Sequence, residues 1–209
     1  FTLNAGAYVS LALDSEFRQA SGLSLLASDG SILVEGTNAA HLAAWIGPTA
    51  IPSTGTYRAT VEGTAGRYTL VVVENGQFEI ESNNGAQEAR YIGQHGRVLG
   101  AVDDATGADH FLVGLARGDG LTIETPTPFA GPFEFQNSLD PAIELYDPSG
   151  QLVHLETGSA PDGKNAVLHH FAEHYGPYRI RIFSEQSAGE YLLVSDVLAR
   201  SVDKDGGGL

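Results

Sequence analysis

The chain has 209 residues, of which 42% are hydrophobic, enough to bury one large hydrophobic core or two small ones. Eleven basic residues face 26 acidic ones, and the formal charge of −15 argues against nucleic acids and anionic membrane surfaces as partners, because both bind through Lys and Arg. Cysteine is absent, which excludes disulfides, thiol nucleophiles and cysteine-ligated zinc.

Short segments typical of β-strands follow one another along the chain, rich in β-branched and aromatic residues and often alternating polar with apolar side chains. In chain order they are AYVSLAL, SILVEG, TYRATVEG, RYTLVVVE, FLVGL, LTIET, AIELYD, YRIRIFSE and EYLLVSD. Turn signals separate them, among them Asp29-Gly30, Asn75-Gly76 and the "DPSG" of 147–150. We therefore predict an all-β fold of antiparallel β-sandwich, jelly-roll-like domains.

No apolar run is long enough for a membrane-spanning helix, so membrane insertion is not expected. The sequence begins at Phe1 and contains no Met, which indicates a processed chain or a part of a larger polypeptide.

An internal repeat predicts two tandem domains. "LSLLASDGSILVEG" (23–36) aligns with "IELYDPSGQLVHLETG" (143–158), and "GTYRATVEGTAGRYTLVVVE" (55–74) aligns with "GPYRIRIFSEQSAGEYLLVSD" (176–196). Upstream, "LNAGAYVSLAL" (3–13) matches "LARGDGLTIET" (115–125). We predict a first sandwich over 1–78, shortened at its N-terminal end, a full-length second sandwich over 79–198, and a tail over 199–209. Aligned tyrosines (Tyr57 with Tyr178, Tyr68 with Tyr191) favour a packing role for all four.

The stretch "FEIESNNGAQEA" (78–89) is polar among apolar strands and carries Glu79, Glu81, Asn83 and Asn84. In an extended segment Glu79 and Glu81 point to the same side, because side chains alternate with a period of two. Calcium takes six to eight oxygens from carboxylates, amides and backbone carbonyls. From the residues alone, the stretch is either a polar interdomain linker or a set of cation ligands.

The order of the motifs carries a resemblance. It runs from an acidic "E-x-E-x-N-N" linker through "L-x-x-G-x-x-L-x-I" and "D-P-x-I-E-L-Y-D-x-x-G" to "G-x-Y-x-I-x-I…G-x-Y-x-L". This order resembles the bacterial pre-peptidase C-terminal domain, a β-sandwich module of secreted proteases and other exported proteins, to which the collagen-binding domains of clostridial collagenases look related. Copy two matches from 79 to about 197, and copy one matches to about 76 without the linker.

The resemblance implies a calcium site in copy two. Its ligands would be Glu79, Glu81, Asn83 and Asn84 of the linker, with Asp109 of "GADHF" from a loop before the aromatic strand. The family usually places another Asp three residues before that position, where this chain has Thr106. Asp103 and Asp104 lie further back, so either of them could be the second loop ligand, and Asp104 is included as a weaker candidate than Asp109.

Two other motifs favour structural interpretations. "HHFAEH" (169–174) spaces His170 and His174 as a helical zinc site would, but Phe171 stands where zinc proteases have Glu, so we predict a polar loop with incidental histidines. The tripeptide Arg117-Gly118-Asp119 aligns with a turn of copy one and predicts a turn. No "G-x-S-x-G" nucleophile motif or glycine-rich phosphate loop occurs, so we do not expect an enzyme.

Together these features predict a non-catalytic, calcium-stabilised accessory module of a secreted bacterial protein that binds a protein or polysaccharide polymer outside the cell. Such a module predicts a patch of Tyr, Trp or Arg on one sheet. The alternative is a structural spacer or a secretion or processing module with no polymer ligand.

Overall fold

The computed structural model of the chain describes residues 1–15, 22–38, 43–92, 96–102, 107–126, 139–161, 163–184 and 188–200. Every regular element within these ranges is a β-strand, so the prediction of an all-β fold is confirmed. Within the same ranges, no helix has the length and hydropathy needed to cross a bilayer.

The chain forms two compact units, Phe1–Ser82 with Arg97–Leu99, and Asn83–Gly96 with Gly100–Leu209. The first unit is a small sandwich with strands β1 Thr2–Leu3, β2 Tyr8–Ser15, β3 Gly22–Leu26, β4 Ile32–Glu35, β5 Ala44–Ala50, β6 Gly55–Thr56, β7 Arg58–Glu62 and β8 Tyr68–Glu74. Its sheets β5-β2-β8 and β4-β3-β7 are three-stranded, and β1 pairs with β6. Both larger sheets supply the same core, which contains Leu11 and Leu13 of one sheet and Leu23 and Leu25 of the other.

The remaining strands are β9 Gln77–Phe78, β10 Arg90–Tyr91, β11 Arg97–Val102, β12 Ala108–Leu115, β13 Gly120–Glu124, β14 Pro141–Tyr146, β15 Leu152–Thr157, β16 Val167–Phe171, β17 Gly176–Ser184 and β18 Gly189–Leu198. They form two five-stranded sheets, β10-β12-β17-β14-β15 and β16-β13-β18-β11-β9. Strand β17 pairs antiparallel with β12 and β14, β14 with β15, and β13 with β16 and β18, whereas β10 pairs in parallel with β12 and β9 with β11.

Strand β17 shows how the sequence alternation builds this sandwich. Tyr178, Ile180 and Ile182 are buried and point into the core, whereas Arg179 and Arg181 between them lie on the outer face. Burial of the inner row favours this register, because a shift by one residue would place both arginines in the core. The same alternation determines which face of the sheet each side chain of the sites described next lies on.

Candidate functional site

The acidic stretch after β9 is held at both ends by backbone hydrogen bonds. Its first residue, Glu79, donates its N–H to the carbonyl of Leu99 at 2.9 Å, which continues the pairing of β9 with β11. Further along, the carbonyl of Asn83 accepts the N–H of His110 in β12 at 2.9 Å. These bonds place the stretch beside β12.

Three carboxylates meet at this place. Oxygens of Glu79, Glu81 and Asp109 all lie within 4.8 Å of one another, although Asp109 is 28 residues or more further along the chain. Glu79 and Asp109 are buried, and the hydroxyl of Tyr191 in β18 donates a hydrogen bond to Asp109 Oδ2 at 2.7 Å. We call these three residues the acidic cluster.

One oxygen of the acidic cluster is buried without a partner. Among the described residues, no group hydrogen-bonds to Glu81 Oε2. A buried carboxylate oxygen without a hydrogen-bond donor destabilises the fold, because it has lost its hydration and no hydrogen bond replaces it. Three close carboxylates also repel one another unless protons or a cation neutralise them. Oxygens that bind one calcium ion at 2.3–2.6 Å are at most about 5 Å apart, so the cluster fits this ion.

The other predicted ligands have different positions. Asn83 is fully buried next to the cluster, and its Oδ1 atom accepts no hydrogen bond within the described ranges, although the residue makes other polar contacts. Asn84 is exposed, so its role as a ligand stays a prediction. Asp104 lies outside the described residues. Tyr191 was missed as a member of this site, although its repetition in the sequence was the signal that pointed to a buried position.

A second feature lies on the outer face of the sheet β10-β12-β17-β14-β15. The guanidinium of Arg179 lies 3.8 Å from the ring centroid of Tyr146, and that of Arg181 lies 4.3 Å from the centroid of Phe183. Arg181 Nη1 also donates a hydrogen bond to Glu144 Oε2 at 2.8 Å. We call these five residues the arginine face.

Neighbouring groups hold the arginine face in place. The neutral ring of His110 accepts a hydrogen bond from Arg179 Nη1 at its Nδ1, at 3.0 Å. Burial first, and the charges of Arg179 and Arg181 second, lower the pKa of His110 to about 4, so the ring is neutral at pH 7. Burial and the hydrogen bond to Glu144 raise the pKa of Tyr146, which keeps its hydroxyl protonated.

A third feature is a pocket of about 600 Å³, lined on one side by β15 and on the other by β16. The prediction of a polar loop at "HHFAEH" is wrong for its first part, because His169 and His170 lie in strand β16. Burial, followed by the charge of His154, lowers the pKa of His170, against an opposing effect of Glu173. The sequence pattern tested only helical spacing, whereas in strand β16 the ring of His170 lies 5.8 Å from that of His154, a residue of the other sheet.

The predicted turn at Arg117-Gly118-Asp119 is confirmed. Gly118 has a φ of +90°, and the carboxylate of Asp119 accepts the N–H groups of Ala116 at 2.9 Å and Arg200 at 3.1 Å. These hydrogen bonds lower the pKa of Asp119. The aspartate therefore serves the turn.

No family model matches the chain, and no curated protein matches it. Among solved structures, PliG of Aeromonas hydrophila, a periplasmic inhibitor of g-type lysozyme, is 12% identical with a TM-score of 0.36, over 48% of this chain and 83% of that chain. The pre-peptidase C-terminal domain of a collagenase from Bacillus anthracis is 15% identical with a TM-score of 0.42, over 55% of this chain and 100% of that chain. The latter is a domain of the family that the sequence resembles.

Proposed function

We propose that the chain is a non-catalytic accessory module of a secreted bacterial protein, stabilised by calcium at the acidic cluster and binding an extended protein polymer through the arginine face. The buried, unpartnered oxygen of Glu81, within 4.8 Å of two further carboxylates, carries the calcium part of this proposal. Secretion fits the same picture, since millimolar extracellular calcium fills weak sites.

Calcium at the cluster would stabilise the folded chain. Glu79 and Glu81 follow β9 and Asp109 lies in β12, so one ion would neutralise carboxylates from two separate segments. The hydrogen bond from Tyr191 fixes the orientation of the Asp109 carboxylate. An ion that binds only the folded state stabilises it by about 2.7 kcal/mol at a concentration of 100 Kd.

Thermal melts and calorimetric titration test the calcium site. We expect calcium to raise the melting temperature of the wild type, and Glu81→Gln to abolish both the increase and the binding heat. Glu124→Gln, a control for an exposed carboxylate on β13, should keep both. A wild type that melts alike in millimolar calcium and in excess chelator, and gives no binding heat, would overturn the proposed site.

The arginine face supports the binding of a polymer rather than of a small molecule, because it is a surface along several strands and not a cavity. The Arg179 guanidinium covers the ring of Tyr146 and is held by His110, so its donors are fixed before a partner arrives. Fixed guanidinium donors suit carbonyl and carboxylate oxygens of an extended polypeptide. Exposed Tyr91, Leu152 and Leu155 add apolar area on two strands of the same sheet.

Retention on insoluble fibrous protein tests the polymer ligand, with insoluble polysaccharides assayed in parallel. We expect Arg179→Ala to weaken binding about tenfold, or ~1.4 kcal/mol. Arg58→Ala, the aligned arginine of copy one, should bind as the wild type does. Retention on polysaccharide alone would replace the protein polymer by a polysaccharide, and retention on neither would favour a spacer or processing module.

A further inference from the structure

The pocket between β15 and β16 brings together histidines from two sheets. His154 pairs with Leu145 across the sheet and His170 pairs with Leu121, and both leucines are buried, so both imidazoles point inward between the sheets. The pocket of about 600 Å³ between these edge strands is also lined by His174.

The two inward imidazoles lie at a distance that suits one shared metal ion. Their ring centroids are 5.8 Å apart, with an angle of 73° between the ring planes. Two imidazoles bound to one ion through Zn–N bonds of 2.0–2.1 Å have ring centres roughly 5 to 6 Å apart. The rings are therefore already near the separation that shared coordination requires.

The nitrogens of the two rings differ in their surroundings. Nε2 of His170 is buried, and within the described ranges no group hydrogen-bonds to it. Nδ1 of His154 lies 3.7 Å from the carboxylate of Glu156, which leaves Nε2 of that ring for a ligand. A carboxylate beside the second ring nitrogen is the usual surrounding of a metal-binding histidine.

Copy one shows that the sandwich does not need imidazoles at these places. The residue aligned with His154 is Val34, which pairs with Leu25 and packs against the hydrophobic core. In the strand that matches β16, Thr49 pairs with Val9 where His170 pairs with Leu121. An apolar and a small residue therefore suffice for packing, so the two histidines of copy two need another explanation.

We propose that His154 and His170 form a binding site for a divalent transition metal ion of the zinc, copper or nickel class. Imidazole nitrogen is a preferred ligand of these ions, whereas calcium and magnesium prefer oxygen. Within the described residues, no group of three His, Asp or Glu side chains that includes both histidines has its ligand atoms all within 4.8 Å of one another. The protein thus supplies two ligands, and the remaining coordination positions are open to water or to a donor group of a bound molecule.

Calorimetric titration with Zn²⁺ tests this site, using the whole chain without a histidine tag. Saturating calcium is present so that the acidic cluster does not contribute to zinc binding. We expect His154→Val, which copies Val34, and His170→Thr, which copies Thr49, each to weaken zinc binding at least tenfold. His169→Ala is the matched control, because His169 is the strand neighbour of His170 and its Nδ1 lies 3.0 Å from the hydroxyl of Thr122 on the outer face.

A second readout reports the ligands directly. Bound Cu²⁺ should show nitrogen coupling from two imidazoles in its electron paramagnetic resonance spectrum, and from one imidazole in either single variant. Melting curves of the variants in chelator show whether each folds, and His170→Thr provides the test if His154→Val does not. The proposal is overturned if the wild type binds no zinc, if both variants bind as the wild type does, or if His169→Ala weakens binding as much as they do.

Discussion

The two regions that align in sequence, copy one and copy two, share local backbone features but differ in their chemistry. Their aligned turns have the same backbone hydrogen bond, from Gly30 to Ala27 at 3.0 Å in copy one and from Gly150 to Asp147 at 2.9 Å in copy two. The two glycines have φ values of +86° and +87°. The sequence repeat is thus a repeat of local structure.

The aligned tyrosines Tyr57 and Tyr178 repeat in the same way. Both are buried, and each hydroxyl bonds to the backbone four residues earlier. Tyr57 donates to the carbonyl of Ser53 at 2.8 Å, and Tyr178 donates to the carbonyl of His174 at 3.4 Å and accepts its N–H at 3.1 Å. Each bond fixes the chain that enters the following strand.

The side chains that suggest function appear at matching positions of copy two only. In copy one the corresponding strands pair in the same register, but only one of the two arginines is present, and the tyrosine and the glutamate are absent. The pair Arg179–Tyr146 of copy two corresponds to Arg58–Leu26 of copy one. The pair Arg181–Glu144 corresponds to Thr60–Ser24. The aligned strands of copy one pair in the same register without these groups, so the pairing does not depend on them.

The largest expected difference between the copies concerns the second pair of aligned tyrosines. Tyr191 is fully buried and bonds to Asp109, whereas Tyr68 is 58% exposed, so the predicted packing role is wrong for Tyr68. We expect Tyr191→Phe to lower the free energy of unfolding in chelator by about 2 to 3 kcal/mol, because a buried carboxylate loses a donor. Tyr68→Phe should change it by less than about 0.5 kcal/mol. Urea titrations measure the free energy of unfolding of both variants. Equal losses would mean that the two tyrosine hydroxyls contribute alike to stability.

A somewhat smaller and equal effect is expected at the shared turns. In Gly30→Ala and Gly150→Ala the new Cβ meets no atom within 4 Å, so the positive φ alone opposes the substitution. The left-handed conformation costs a residue with a Cβ about 1 to 2 kcal/mol, and both variants should lose this much stability. Gly114→Ala is the control, since Gly114 lies in β12 with open space and no positive φ. Losses that differ between the two turns by more than about 1 kcal/mol would show that the turns are not equivalent.

A third prediction concerns the tyrosines whose hydroxyl groups bond to the backbone. Tyr57→Phe and Tyr178→Phe should each lower the free energy of unfolding by about 1 kcal/mol, because each removes the hydroxyl and leaves the buried ring in place. Chemical denaturation of the two variants checks this value. A loss in only one of them would mean that the hydroxyl has a different role in the two copies.

The strands and the scaffold could be predicted from the sequence because they depend on local patterns. Alternation in "YRIRIFSE" predicted a strand, which is β17, and the turn pair Asn75-Gly76 predicted a turn, which lies between β8 and β9 and has a positive φ of 55° at Asn75. Each of these outcomes is decided by a few adjacent residues.

The sites could be predicted only in part, because they depend on pairing between distant strands. The neighbourhood of Glu79 and Glu81 followed from side-chain alternation, and Asp109 was expected only through the family resemblance. The contact of His154 with His170 needs the register of β13 with β16 and of β14 with β15, which no local pattern contains. A histidine at an inward position of a strand, where copy one has valine, is the signal that was available in the sequence.

The smallest predicted effect tests the ion pair that only copy two has. Burial raises the pKa of Glu144, but hydrogen bonds from Arg181 and Tyr146 outweigh it, so the pKa is lowered on balance. A carboxyl group with a lowered pKa stabilises the fold above its unfolded pKa of about 4.3, and this contribution is lost as the pH falls through the folded pKa. Glu144→Gln should therefore reduce stability by less than about 1 kcal/mol at pH 7 and not at all at low pH.

Melts of the wild type and Glu144→Gln from pH 3 to pH 8 measure this difference. Glu35→Gln, an exposed glutamate of copy one, is the control and should leave the pH profile of stability unchanged. If the two proteins differ by a constant amount at every pH, the effect of Glu144 comes from packing and not from its charge. The ion pair between Arg181 of β17 and Glu144 of β14 would then contribute no charge-dependent stability. At this pair, copy two would differ from copy one only in the packing of the side chains.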